Sequence, residues 1–370
     1  AGAVEAAAST GGMIMPPIMG AAAFIMAGFL GISYTTVILA AIIPSFLYYI
    51  ALIFAIDIEA KKQGLKGISK ENIPDGVLLI PIIVVITTLL MGKKALFAGF
   101  AGIGAVIVAS WLAKDKSSRI TISKTIEAFI EGGRGTIQVG IACAAIGIII
   151  CVVTMTGIGS TLAYNIVELT GGQLWLILIV VMLTCIVLSM GLPSTALYIV
   201  VAVTAAPALV EAGVNPIAAH FFVFWFGALS NITPPVALAS YTAAGLAGAN
   251  AMQTSWEALR ISLPGFIIPF MIAYNPIILL QAAEGETISI LSVVLVVITS
   301  TLGIYALASS LGNYLNAKLT IVERVLMFAG ALMLIKPGMI TDIAGLGLCV
   351  FAILFHIIRV KKSSSVEITI

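Results

Sequence analysis

A succession of apolar runs, near 13–31, 36–56, 77–91, 95–113, 136–158, 172–190, 195–213, 216–246, 256–281, 288–311, 321–336 and 340–360, fills almost the whole chain. Such runs leave the chain one solvent to fold in. A helix of about 20 apolar residues crosses a hydrocarbon core of about 30 Å, and in lipid each backbone N–H and C=O must find its partner inside the protein. Only 9% of the residues are charged and 61% are hydrophobic, where a soluble domain carries roughly 25% charged residues. At roughly 35 residues per pass and connection, the chain holds about nine or ten passes. The expected fold class is an all-α polytopic membrane protein, which excludes a secreted domain, a DNA-binding module and a soluble enzyme.

The 18 Lys and Arg against 16 Asp and Glu leave a net charge of +2, too scattered to hold a nucleic acid by counterion release. Cys143, Cys151, Cys185 and Cys349 all lie in apolar runs without the paired spacing of a zinc site or disulfide framework. The two histidines, His220 and His356, sit in no H-E-x-x-H pattern, and no stretch matches a P-loop. Metal-dependent hydrolysis and ATP hydrolysis are therefore disfavoured, and no resident metal is expected. The chain opens on Ala1 with an acidic, Ala/Gly-rich helix rather than a signal segment, which reads as a piece of a longer polypeptide.

Lys61, Lys62, Lys66 and Lys70 cluster in one loop, Lys114, Lys116, Arg119 and Lys124 in another, and Arg359, Lys361 and Lys362 near the end. The positive-inside rule places these stretches in the cytoplasm. From Ile122 to Glu131, Ile122, Ile126, Phe129 and Ile130 recur at helical spacing with charges between them, the pattern of an amphipathic arm along the interface. Pro207 within 195–213, and the turn-like stretch from Glu211 to Pro216, suggest an arm of a re-entrant hairpin.

An internal repeat is the strongest signal. The stretch Ser9 to Pro17, ending in Pro16-Pro17, is followed by Pro44-Ser45-Phe46; Gly227 to Pro235, ending in Pro234-Pro235, is followed at a similar distance by Pro264-Gly265-Phe266. Proline cannot continue a helix from its N-terminal side but can start one. Each Pro-Pro should therefore begin a half-helix after unwound backbone at Ser9 to Met15 and at Ser230 to Thr233. Paired breaks at corresponding positions point to a transport site near the bilayer midplane.

The residues at the breaks fit a small cation and an anion. Ser9, Thr10, Ser230, Asn231 and Thr233 offer neutral oxygens, Gly11 and Gly12 permit close backbone approach, and half-helix N-termini favour negative charge. Uncharged oxygen ligation suits Na⁺ better than a divalent ion, which favours carboxylates. Gly191-Leu192-Pro193-Ser194-Thr195 is either a third ligand cluster or a cap for the following helix. Glu5 is the acidic residue nearest a break.

From Ala3 to Gly20, and again from Asn231 to Val236, the sequence resembles the large membrane subunit of tripartite ATP-independent periplasmic (TRAP) transporters, in the fused-permease form whose partner is a TAXI-type periplasmic binding protein. The likeness runs from Ala1 to about Ala283 and more loosely beyond. It implies an inverted-repeat elevator fold with discontinuous helices and re-entrant hairpins, carrying an organic acid into the cell with Na⁺ as coupling ion. It also implies a first cation site at Ser9, Thr10, Gly11 and Gly12. The second would use Gly191, Ser194, Thr195, Ser230, Asn231 and Thr233. Substrate would lie between them at Gly12, Ser194, Thr195 and Asn231, with Pro16, Pro17, Pro193, Pro234 and Pro235 as helix breakers.

The implied partners are the binding protein, a small carboxylate and an N-terminal part carrying the first hairpin; the implied location is the cytoplasmic membrane. The alternatives are a divalent-anion/Na⁺ symporter without a binding protein and, from another class, a membrane-embedded enzyme or assembly subunit. The expected divisions are 1–56, ending the first repeat; 57–135, connecting spans and arm; 136–283, a second repeat with a hairpin at 191–214 and a broken helix at 216–246; 284–362, extra spans; and 363–370, a polar tail. If every run from 36 to 190 crossed, the two breaks would be in parallel rather than inverted repeats, which suggests that 77–91 and 95–113 do not both cross.

Overall fold

The computed structural model describes the chain apart from residues 18, 66–75, 94, 114–118, 190, 191, 193, 282–287, 336–337 and 368–370. Its elements among the described residues are helical. The first group comprises α1 (Gly2–Gly12), α2 (Ala21–Leu30) and α3 (Tyr34–Lys62). The pair α4 (Ile80–Leu90) and α5 (Ala95–Leu112) follows, then α6 (Ile122–Thr156) and α7 (Ile158–Leu169). Next come α8 (Leu174–Leu188), α9 (Ser194–Thr204) and α10 (Ala206–Glu211). The second broken helix and its successor are α11 (Pro216–Leu229), α12 (Leu238–Ala247), α13 (Ala251–Ser262) and α14 (Ile268–Tyr274). The chain closes with α15 (Ile290–Gly312), α16 (Ile321–Ile335) and α17 (Met339–Glu367).

Local chemistry sets many of the boundaries. Ser33, Asn215 and Asn250 cap α3, α11 and α13 by accepting from backbone N–H groups one turn ahead, and Pro216 occupies the first position of α11, where no donor is needed. Gly31, Gly157 and Gly248 end α2, α6 and α12 in the left-handed conformation. The amphipathic arm is not a separate helix, since Ile122 to Glu131 forms the first turns of α6, a helix of 35 residues.

The two broken helices run antiparallel to one another. A side chain on Gly2 would meet Ala243 and Ala247, near the end of α12, whereas Thr10 and Met13 share a cavity with Ala239 at its beginning. Likewise Phe29, near the end of α2, lies 6.3 Å from the ring of His220 near the start of α11. Each half of one broken helix therefore lies beside the opposite half of the other, which is an inverted arrangement.

Run 172–190 enters only part of the way, and 77–91 and 95–113 form the 11-residue α4 and the 18-residue α5. Helices α4 and α5 pack together, with Gly102 against Val85. Their shared end, Leu89 and Ala98, rests on Ile38 near the start of α3. They go out and back. Helix α8 instead enters only as far as the second break, where Ser189 O accepts from Ser230 Oγ at 3.5 Å. From there α9 and α10 return to the face where α11 begins, with Tyr198 of α9 bonded to His220 Nδ1 at 2.6 Å. The re-entrant hairpin is thus α8 to α10, residues 174–211, rather than 191–214. Its 15-residue descending arm is about 22 Å long, short of a full span.

The main core is formed by α1, α2, α3 and the hairpin-to-α14 segment, with Phe221, Phe222, Phe224, Trp225 and Phe226 all fully buried on α11. Helix α15 lies along α3, with Phe54 edge-on to Tyr305 at 5.0 Å, and leads into the α15–α17 bundle. Arg260 of α13 bonds Glu59 of α3 at 3.0 Å. The ends of α3, α13 and α15 therefore share the face carrying Lys61 and Lys62, which the positive-inside rule assigns to the cytoplasm.

Candidate functional site

Between the two breaks lies a cavity of about 230 Å³ lined by Ser9, Thr10, Met13, Asn231 and Ala239. The sequence suggested two separate ligand clusters; the fold brings residues from both to one place. Thr10 is 2% exposed, and its Oγ1 has no hydrogen-bond partner among the described residues. A buried hydroxyl left so is unfavourable by about 1–3 kcal/mol. Asn231 donates from Nδ2 to Ala228 O at 3.2 Å, which leaves its amide oxygen available. Ser9 donates to Glu5 Oε1 at 3.0 Å, so its oxygen retains lone pairs and Glu5 stands one bond behind the cavity wall.

Ser230 and Thr233 belong to the same break. Their hydroxyls donate to Gly227 O at 2.7 Å and Leu229 O at 2.8 Å, satisfying the helix that is ending while leaving acceptor capacity. Ser189 Oγ, at the end of the descending hairpin arm, is also buried without a partner among the described residues; sequence reasoning passed over it because it ends an apparent span. Gly191 and Pro193 lie outside the described residues, and Ser194 and Thr195 are described only as the first two residues of α9.

The unwound backbone sits later than expected. Residues Ser9 to Gly12 are still helical, and the first break runs from Met13 to Gly20. Pro16-Pro17 and Pro234-Pro235 lie inside the breaks, both with cis bonds, and do not start α2 and α12 as their sequence suggested. The reason is the residue two places on: Met19 and Ala237 have φ of 39° and 20°, a turn outside the helical region that must be completed before a helix can begin. Side chains of α3 and of α12 itself hold the break carbonyls. Tyr34 Oη donates to Pro17 O at 2.9 Å, Ser45 Oγ to Ile14 O at 2.9 Å, and Tyr241 Oη to Pro235 O.

Gly11 and Gly12 differ in role. A side chain on Gly12 would meet open space, consistent with a backbone that a ligand can approach. One on Gly11 would lie 2.5 Å from the Tyr48 ring, and one on Gly265 2.7 Å from the other edge of that ring. Gly11 is small to admit Tyr48, whose Oη bonds Ala7 O at 2.9 Å. Gly11→Ala should therefore destabilise the fold by about 1–3 kcal/mol through overpacking, as read by thermal unfolding. Gly12→Ala should leave the midpoint nearly unchanged.

Acidic, histidine and cysteine side chains form no cluster able to hold a metal among the described residues, and the lining oxygens are neutral. Such a donor set suits a monovalent cation, and the N-termini of α2 and α12 at the two breaks supply positive dipole ends for an anion.

Two broken helices crossing antiparallel around a shared polar cavity, with a re-entrant hairpin reaching one break, define a polytopic membrane transporter. Residues 1–287 match the family described as tripartite ATP-independent periplasmic transporter, DctM component. The chain belongs to that family and is a multi-pass protein of the inner membrane. A comparison with curated proteins gave no match. Helices α15 to α17 follow the matched region.

Proposed function

We propose that the chain carries a small organic acid across the cytoplasmic membrane into the cell, driven by Na⁺. In this reading a TAXI-type periplasmic binding protein delivers the substrate, and the domain holding the broken helices shifts across the membrane in an elevator motion. The observation that carries the proposal is the cavity lined by Thr10, whose buried hydroxyl has no partner among the described residues, together with Asn231 from the opposite repeat. Among the described residues no Lys or Arg lines it, so a carboxylate there would be held by helix N-termini and amides. The hairpin tip beside Ser230 would close the site from the periplasmic face.

The test is uptake of labelled carboxylates by proteoliposomes containing the complete transporter, with and without a Na⁺ gradient and with and without the binding protein. Uptake requiring both is expected. Uptake that ignores the binding protein would identify a self-sufficient symporter, and uptake that ignores Na⁺ would reject the coupling.

A further inference from the structure

Outside this site, a second concavity of about 510 Å³ runs between α5 and the first turns of α6. Its walls are apolar or small: Ile103, Val106 and Ile107 from α5 face Ala128, Phe129 and Gly133 from α6. Phe129 is 58% and Ile103 44% exposed. The width comes from Gly132 and Gly133, where an added side chain would meet nothing within 4 Å.

The end of α5 near this groove is basic and aromatic. Arg119 lies over the Trp111 ring, 5.5 Å from its centre, and Trp111 Nε1 donates to Ile120 O at 3.2 Å. Ser110 Oγ accepts from Ile120 N at 3.1 Å, so the strand of chain bearing Arg119 is pinned to the helix end. Arg119 Nε is buried without a partner among the described residues. Lys114, Lys116 and Lys124 flank it in sequence, against one acidic residue, Asp115, in that stretch. Glu127 and Glu131, on the same arm, do not line the groove. Ile120 lines the groove, and Trp111 and Arg119 adjoin it there; an apolar slot beside a tryptophan and an arginine, on a stretch assigned to the cytoplasmic side, matches a two-part ligand with an acyl chain and an anionic head.

We propose that this groove binds one anionic phospholipid, its acyl chain between α5 and α6 and its phosphate on Arg119. Cation–π contact with Trp111 holds the guanidinium plane, leaving the terminal Nη N–H groups to the phosphate oxygens. The bound lipid fills the space between the α4–α5 pair and the arm of α6.

Native mass spectrometry of the purified full-length protein, titrated with dioleoyl phosphatidylglycerol or dioleoyl phosphatidylcholine, tests the assignment. One phosphatidylglycerol should be retained at activation energies that strip phosphatidylcholine. Arg119→Gln should weaken that retention about five-fold, the amount expected for one basic residue at an anionic surface. Gly133→Trp, which fills the slot and leaves Arg119 in place, should lower retention of both lipids. Size-exclusion profiles and thermal midpoints of the variants in detergent show that they remain folded. Equal retention of the two lipids, or an Arg119→Gln variant that keeps phosphatidylglycerol like the parent, would overturn the proposal. Retention lost in Arg119→Gln but unchanged in Gly133→Trp would place the lipid outside the groove and overturn it as well.

Discussion

Glu323→Ala should destabilise the protein by about 2–3 kcal/mol, less than the penalty for breaking a fully buried ion pair because Arg359 is 37% exposed. Glu323 is 0% exposed near the start of α16, and its carboxylate accepts from Arg359 Nε at 2.9 Å and Arg359 Nη2 at 3.1 Å. It also lies 3.2 Å from Nδ1 of His356, itself 1% exposed. The same carboxylate takes the backbone N–H of Thr320 at 2.7 Å while Thr320 Oγ1 takes that of Glu323 at 3.3 Å, a reciprocal cap on α16. Alanine removes the helix cap and leaves a guanidinium uncompensated in partly buried surroundings. Thermal unfolding in detergent should register the loss. The combined Glu323→Met, His356→Phe and Arg359→Met variant should recover most of it, because apolar replacement of a whole buried ion group is often close to neutral. A single alanine variant as stable as the parent would show that the network contributes no net stability.

The second large effect concerns transport. Thr10→Val keeps the shape of the side chain and deletes the one cavity hydroxyl that has no partner among the described residues. Loss of a neutral ligand to a charged species is worth about 1.5–3 kcal/mol, so the Na⁺ concentration for half-maximal uptake should rise about 10- to 100-fold. Asn231→Leu removes the opposing oxygen and intrudes into the same cavity, and should reduce uptake to near background at any Na⁺ concentration. Both are measured in the complete transporter with a saturating substrate supply. Thr233→Ala should act more weakly, because the Thr233 hydroxyl is already bonded to Leu229 O. Unchanged Na⁺ dependence in Thr10→Val would remove that hydroxyl from the cation site.

Much of this was legible in the sequence for a plain reason. In lipid, a Pro-Pro pair inside an apolar run has to break a helix, and two such pairs in matched contexts announce both the repeat and its polar centre. The neutral oxygens of Ser9, Thr10 and Asn231 could be picked out because few polar groups occur in such runs. Three things were hidden. The descending hairpin arm, Leu174 to Leu188, has the composition of a span, and its meeting with the second break through Ser189 O appears only in the fold. The true starts of α2 and α12 depend on positive φ at Met19 and Ala237, residues with no marked preference for that conformation. Glu323 was passed over, although Thr320-x-x-Glu323 carries the capping pattern and an acid inside an apolar run calls for a partner. His356 and Arg359, spaced three apart on one later helix, supply it.

The Tyr48 ring lies between Gly11 of the first repeat and Gly265 of the second, closer to both than a side chain would allow. A flat plate gripped on two edges removes a degree of freedom: neither repeat can slide along the other without driving backbone into the ring. That holds Thr10 of the first break and Asn231 of the second in one register. The α8–α9 hairpin meets the second break through its own backbone, by the long bond from Ser230 Oγ to Ser189 O at 3.5 Å.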